Sequence, residues 1–205
     1  METPVVLIVF NRPDITERRW RIVRSWQPST IVIVADGPRG NQPGDVERCR
    51  AVRALFEAGA DWPCEIIRDF SPHNLGCGRR IATGLDRVFD RFERAIILED
   101  DCVPDGTFHR FCCELLEFYS DEDRVAAISG DNFMMGASVT EYSYYFSRYP
   151  HCWGWATWRR AWRDFDYAMR RWPDVRATDW LMRRVASRRE YSYWKHAFDH
   201  TMQGR

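Results

Sequence analysis

Five short apolar runs, most of them rich in β-branched residues, are spaced through the first 130 residues. They are VVLIVF (5–10), TIVIVA (30–35), CEIIR (64–68), AIIL (95–98) and VAAIS (125–129). Runs this short and this continuously apolar predict strands covered on both faces. Between them lie amphipathic stretches that predict helices over 15–26, 45–58, 78–92 and 107–119. The spacing Asp14-x-x-Glu17 predicts a capping box for the first helix, and Asp45 opens the second. Strands alternating with helices predict an α/β fold built on a mostly parallel central sheet.

From about residue 131 the texture changes. Seven of the ten Trp residues fall between 153 and 194, many of them in YYFSRYPHCWGWATWRRAW (144–162), a run crowded with aromatics and Arg. One further strand is predicted at 143–147, then helices near 155–163, 165–171, 179–187 and 189–200. Trp155, Trp158 and Trp162 recur at i, i+3 and i+7, the spacing of a buried helix face. No internal repeat, low-complexity segment or Pro/Gly linker interrupts the chain. One domain over 1–205 is expected, with a second half (131–205) packed on the first (1–130).

The polar residues fall where the strands end. The runs are followed in turn by NRPD (11–14), DGPRGNQPGD (36–45), DFSPHNLGCG (69–78), EDD (99–101) and GDN (130–132). In an open parallel sheet the carboxyl ends lie along one edge, where such folds bind ligands. Gly, Pro, Asn and Asp are also ordinary turn formers. Three adjacent carboxylates, Glu99, Asp100 and Asp101, exceed what a turn or a helix cap requires. Side by side they raise one another's proton affinity, a cost that a cation relieves. Hard divalent cations take oxygen ligands, often one or two carboxylates plus substrate phosphates. The implied ligand is a diphosphate.

Other nucleotide motifs are missing. The first strand is followed by NRPDIT, not by G-x-G-x-x-G, and no Walker loop occurs. NLGCGRRIATG (74–84) leads into a helix and is able to offer backbone N–H groups with Arg79 or Arg80 to a phosphate. Thirty basic against thirty acidic residues give no bulk attraction for nucleic acid. Seven scattered Cys without a C-x-x-C pair read as reduced, small hydrophobic residues, so a cytoplasmic protein is expected. The longest apolar run has six residues, too few to span a bilayer, and peripheral attachment to an inner membrane stays open.

Taken together, TPVVLIVFNRPD, VIVADGPRG, NLGCGRRIATGLDRVF, AIILEDDCVPD, ISGDNF and YYFSRYPHCWGWATWRRAW resemble glycosyltransferases of the GT-A type. The group is the family-2-like one related to the β-1,2-N-acetylglucosaminyltransferase I enzymes. The resemblance implies an inverting transfer from a nucleotide-diphosphate sugar, a UDP-sugar, to a hydroxyl of a bacterial surface glycan or other acceptor, with Mn²⁺ (or Mg²⁺). It implies that residues 1–130 bind the nucleotide and 131–205 the acceptor. Phe10, Asn11 and Arg12 would border the nucleoside, and Asp36 with Gly37 would bond the base. Asn74, Gly76 and Arg79 would lie beside ribose or phosphates. Asp101 would ligate the metal, with Glu99 and Asp100 near ribose, sugar or metal-bound water. Asp131, Asn132 and Trp153 would face the acceptor, with His151 in the same loop. The general base of such enzymes is an Asp close to a Trp. A base beyond Arg205 in a longer protein is expected, and Asp179, in TDWLMR, is the candidate within this chain. A sugar nucleotidyltransferase and a nucleotide-sugar-binding module without turnover are the competing readings.

Overall fold

A computed structural model describes residues 2–203. The chain divides into two compact units, one ending at Asp164 and the other starting at Phe165. The first contains six strands: β1 (Val5–Val9), β2 (Thr30–Ala35), β3 (Glu65–Phe70), β4 (Arg94–Leu98), β5 (Ala127–Ser129) and β6 (Trp155–Trp158). Its helices are α1 (Pro13–Trp26), α2 (Asp45–Ala54), α3 (Cys77–Arg91), α4 (Phe108–Phe118) and the short α5 (Arg159–Trp162).

The strands form one sheet in the order β3-β2-β1-β4-β6-β5. The three pairings among β3, β2, β1 and β4 are parallel, and β6 runs antiparallel to both β4 and β5. Val9, Ala35 and Phe70 are level across β1, β2 and β3. β4 runs in register with β1 from Val5↔Ile96 to Leu7↔Leu98. Five strands therefore end along one edge, and β6 begins there.

Side chains alternate between two apolar layers. Val5, Leu7, Ile31, Ile33, Ile96 and Leu98 meet Trp20 and Val23 of α1, Val52 of α2, and Phe108, Cys112 and Leu116 of α4. Val6, Ile8, Val32, Val34 and Ile97 meet Leu85, Val88 and Phe89 of α3 on the other face. β1, β2 and β4 are covered on both sides, which is why their sequences read as continuous apolar runs. Burying each such aliphatic side chain is worth about 1.5–3 kcal/mol.

The second half of the first unit departs from the sequence pattern. Residues 155–158 form strand β6, and only 159–162 are helical. Ala156 and Trp158 face the α4 layer while Trp155 and Trp162 pack against the α3 layer. An i, i+3 spacing of Trp therefore concealed a period of two. Trp158 Nε1 donates to the Leu116 carbonyl at 3.0 Å, pinning β6 to α4. The Arg160 guanidinium lies 4.4 Å from the Trp158 ring centroid and donates to the carbonyls of Tyr119, Ser120 and Val125. Residues 143–147, predicted as a strand, carry no regular structure. β5 ends the sheet without them, and the Tyr144 hydroxyl instead meets that of Tyr119 at 2.7 Å.

Two local expectations also change. α1 begins at Pro13 with Arg12 at the N-cap, so Asp14 lies in the first turn and forms no capping box; Glu17 pairs with Arg21 at 2.6 Å. Pro at the first helical position replaces the cap, since its missing N–H needs no partner. In the second unit, residues 165–171 and 179–187 are turns, and helices occupy Trp172–Arg176 (α6) and Arg188–Gln203 (α7). Asp199 of α7 accepts bonds from the Trp172 indole at 3.0 Å and the Arg176 guanidinium at 2.6 and 2.9 Å. That cross-link lets a five-residue helix persist where propensity alone would not support it.

Gly84 of α3 lies directly over Val34: a Cβ there would collide with Val34 Cγ1. Gly84→Ala is expected to lower unfolding stability by about 1–3 kcal/mol through overpacking. Adding Val34→Ala should recover part of that loss in urea denaturation, and a purely additive double mutant would contradict this close-contact account.

Candidate functional site

β1, β2 and β3 step outward in one direction, and β4 sits on the opposite side of β1. The order reverses between β1 and β4, and a crevice opens at the carboxyl ends of strands flanking such a switch point. Here those ends carry Phe10-Asn11-Arg12 after β1 and Glu99-Asp100-Asp101 after β4. Arg12 Nη1 reaches across to Asp100 Oδ1 at 3.3 Å. The pair is partly exposed and worth about 0–1 kcal/mol on its own.

Glu99 and Asp100 are half-buried and Asp101 is exposed. Burial raises the pKa of Glu99, with the neighbouring Asp101 and Asp100 adding to the rise. Burial also raises that of Asp100, opposed by Arg12 and Arg19 and reinforced by Asp101. Beneath them lies Arg19 of α1, fully buried, a residue that no motif marked. Its Nη1 donates to the carbonyls of Ile8 and Glu99, tying the exits of β1 and β4 together. Its Nε and Nη2 have no hydrogen-bond partner among the described residues. Burial pushes the Arg19 pKa down to about 10, against the pull of Asp100 and Asp101, so it stays cationic near neutrality.

Asp36, at the end of β2, is the second organising carboxylate. It is buried, and its Oδ1 accepts from the Gly37 and Leu75 N–H groups at 2.8 and 2.9 Å. Oδ2 accepts from the Asn74 amide at 3.0 Å and the Gly76 N–H at 3.1 Å. Four donors fill the acceptor positions of a carboxylate. Asp36 thus holds the 74–76 loop against β2, and a base would have to displace one of these donors to reach it. Gly37 makes the approach possible, because a Cβ there would collide with the His73 backbone. Gly76, with φ at +80°, precedes α3 and turns the loop into its N-terminus. Arg79 is exposed on the first turn of α3. Arg80 is buried, bonded to the carbonyls of Ala35 and Asp69 and paired with the Asp69 carboxylate at 2.9 Å. Of the two arginines, Arg80 belongs to the scaffold.

On the other side of β4, the Gly130 N–H donates to the Gly154 carbonyl at 2.8 Å, joining the end of β5 to the start of β6. Asp131 follows, with Oδ1 accepting from Ser129 Oγ at 2.6 Å. Its Oδ2 lies 3.7 Å from His151 Nδ1 and is buried without a hydrogen bond. Asn132 Oδ1 accepts from the Met134 N–H at 2.9 Å. Phe133 lies between His151 and Trp153, with ring centroids 4.7 and 5.6 Å away. Trp153 is 56% exposed. A cavity of about 550 Å³ is lined by Asp101, Cys102, Phe111, Asp131 and Trp153, and so runs from the acid cluster to the β5 exit.

Among the described residues, no group of three or more His, Cys, Asp or Glu is arranged to enclose a metal ion. The acid cluster fits an ion taken mainly by one exposed carboxylate, Asp101, and completed by ligands from elsewhere. The raised proton affinities of Glu99 and Asp100 mark a place that gains from added positive charge. Asp179 lies outside the first unit, in a turn, paired with Arg183 at 2.6 Å.

No protein-family model and no curated protein matches the chain. Among solved structures it is similar to a mannosyltransferase, PcManGT, from Pyrobaculum calidifontis, in complex with GDP-Man and Mn²⁺. The identity is 15%, the TM-score 0.42, and the likeness covers 62% of this chain and 34% of that one. The chain therefore spans about a third of that structure's chain.

The shift of Glu99 has a sign that can be tested. A carboxyl whose folded pKa is raised destabilises the folded state above its unfolded pKa, and the penalty disappears as pH falls below that value. Glu99→Gln is therefore expected to stabilise the metal-free protein at pH 7 and to lose that advantage near pH 4. Thermal denaturation at the two pH values reads the difference; an equal or opposite gain at pH 4 contradicts it.

Proposed function

We propose that this chain is a metal-dependent glycosyltransferase domain that transfers a sugar from a UDP-sugar to an acceptor hydroxyl, with inversion. The observation that carries the reading is the placement of Glu99, Asp100 and Asp101 at the β1/β4 switch point, facing Arg12 and backed by Arg19. A cluster so placed is suited to a cation shared with a diphosphate. When bound, Mn²⁺ or Mg²⁺ supplies the positive charge that stabilises the departing diphosphate.

The remaining roles fall to the chain's own groups. Phe10 and Asn11 flank the nucleoside at the end of β1, and Arg12 stands opposite Asp100 as a donor to ribose or phosphate. The Asp36-anchored loop sets Asn74 and Gly76 at the entrance to α3. The N-terminus of that helix offers N–H groups and a positive dipole end to phosphate oxygens, with Arg79 exposed beside it. Glu99 and Asp100 orient donor hydroxyls. In the trough from Asp101 to Asp131, the exposed Trp153 offers a face for the C–H side of a sugar ring, and Asp131 with Asn132 bonds acceptor hydroxyls. Holding acceptor and anomeric carbon in line supplies much of the rate. Attack opposite the leaving group passes through an oxocarbenium-like state like that of glycoside hydrolysis. The sequence candidate for the general base, Asp179, lies in the second unit and is paired with Arg183, and no base role is given to it here.

Calorimetric titration with UDP tests the reading. Binding is expected in Mn²⁺ and is expected to weaken at least tenfold in EDTA. Asp101→Ala should remove the metal dependence while leaving the thermal unfolding of the protein close to wild type. Preference for a nucleoside triphosphate would instead indicate a nucleotidyltransferase, and manganese-indifferent UDP binding would refute the role given to Asp101.

A further inference from the structure

Asp45 is the first residue of α2 and its side chain is fully buried. A helix start uses a carboxylate to hold one or two donors. Asp45 holds far more. Asn11 Nδ2 donates to Oδ1 at 2.7 Å, Arg48 Nη2 to Oδ1 at 2.6 Å, and Arg39 to both oxygens, through Nε at 2.6 Å and Nη2 at 3.2 Å. The Arg39 hydrogen bond and those from Arg48 and Asn11 keep the Asp45 carboxyl ionised, well below the usual carboxylate range. The same Arg39 guanidinium lies 5.3 Å from the centroid of the Phe10 ring. Arg39 is thus fixed on one edge by a two-toothed grip and on one face by an aromatic ring, yet its side chain is 44% exposed. Its Nη1, on the edge opposite Nε and Nη2, has no hydrogen bond among the described residues. Phe10 and Asn11 follow β1 directly, and Arg39 follows β2 by four residues, so the group stands at the two strand exits where the nucleoside is placed.

We propose that Arg39 is the residue that reads the nucleobase, its Nη1 donating to the O4 keto oxygen of uracil; this rests on the UDP-sugar reading above. Nη1 carries two N–H donors and no acceptor. Uracil presents an acceptor at position 4, as thymine does, and cytosine presents an amino donor there. The same fixed edge therefore attracts one pyrimidine and repels the other, while Phe10 and the guanidinium plane restrict where the ring can sit.

Calorimetry with UDP and CDP in Mn²⁺ tests this on the wild type, Arg39→Met and Arg39→Lys. The wild type is expected to favour UDP by at least tenfold. Arg39→Met should lose about tenfold in UDP affinity, the scale of one good base contact, with CDP changed less than twofold. Arg39→Lys keeps the charge but not the fork on Asp45, and should behave like Arg39→Met. An unchanged UDP to CDP ratio in Arg39→Met, or equal weakening of both nucleotides, overturns the inference. So does a wild type that binds CDP as tightly as UDP, which leaves the wider reading standing. A wild type that binds neither in Mn²⁺ overturns both.

Discussion

A fully buried guanidinium under three carboxylates is the interaction on which the site depends. Three acids crowded at the end of an apolar strand repel one another, and in a half-buried crevice that repulsion is poorly screened. Arg19 places a positive charge behind them and clasps the carbonyls of Ile8 and Glu99. Burying that charge is itself expensive, and two of its nitrogens go unbonded. The two costs offset each other only because α1 sets Arg19 at the exits of the paired strands β1 and β4. Fold and site are in this respect one structure: moving the helix would strand both a buried cation and a concentrated set of anions.

The opposite wall is built on the same principle with the charges reversed. Asp36 and Asp45 are buried carboxylates, and each is satisfied by several donors, some of them more than 30 residues away in sequence. Neither is spare. Asp36 spends its oxygens holding the turn into α3, and Asp45 spends its own on three side chains around the β1 exit. A crevice needs loops that do not drift, and loops lack the backbone ladders that stiffen strands. Buried carboxylates taking several N–H donors each supply that stiffness.

Much of this was legible beforehand. β1, β2 and β4 are apolar at every position because both faces are covered, and such runs are short, contiguous and hard to misplace. The chemistry at their ends was legible for a topological reason: parallel strands deliver whatever follows them to one edge. The roles of Arg19, Arg39 and Asp45 were not. Arg19 sits among other arginines in a helix, and Asp45 had the ordinary explanation of opening one. Nor did WATW betray a strand: three Trp at i, i+3 and i+7 fit one helix face, whereas pairing with β4 and β5 sends Trp155 and Trp158 to opposite faces of the sheet.

By itself, then, the order of residues determined the layered α/β class, the strands of the parallel core and the acid cluster at their edge, since each depends on local pattern and on burial. Only the tertiary structure decided which strands are neighbours, that 155–158 reverses direction beside β4, and which polar groups find one another across 34 to 80 residues of chain. Long-range pairing is settled by packing and desolvation in three dimensions, and no short stretch of sequence carries that information.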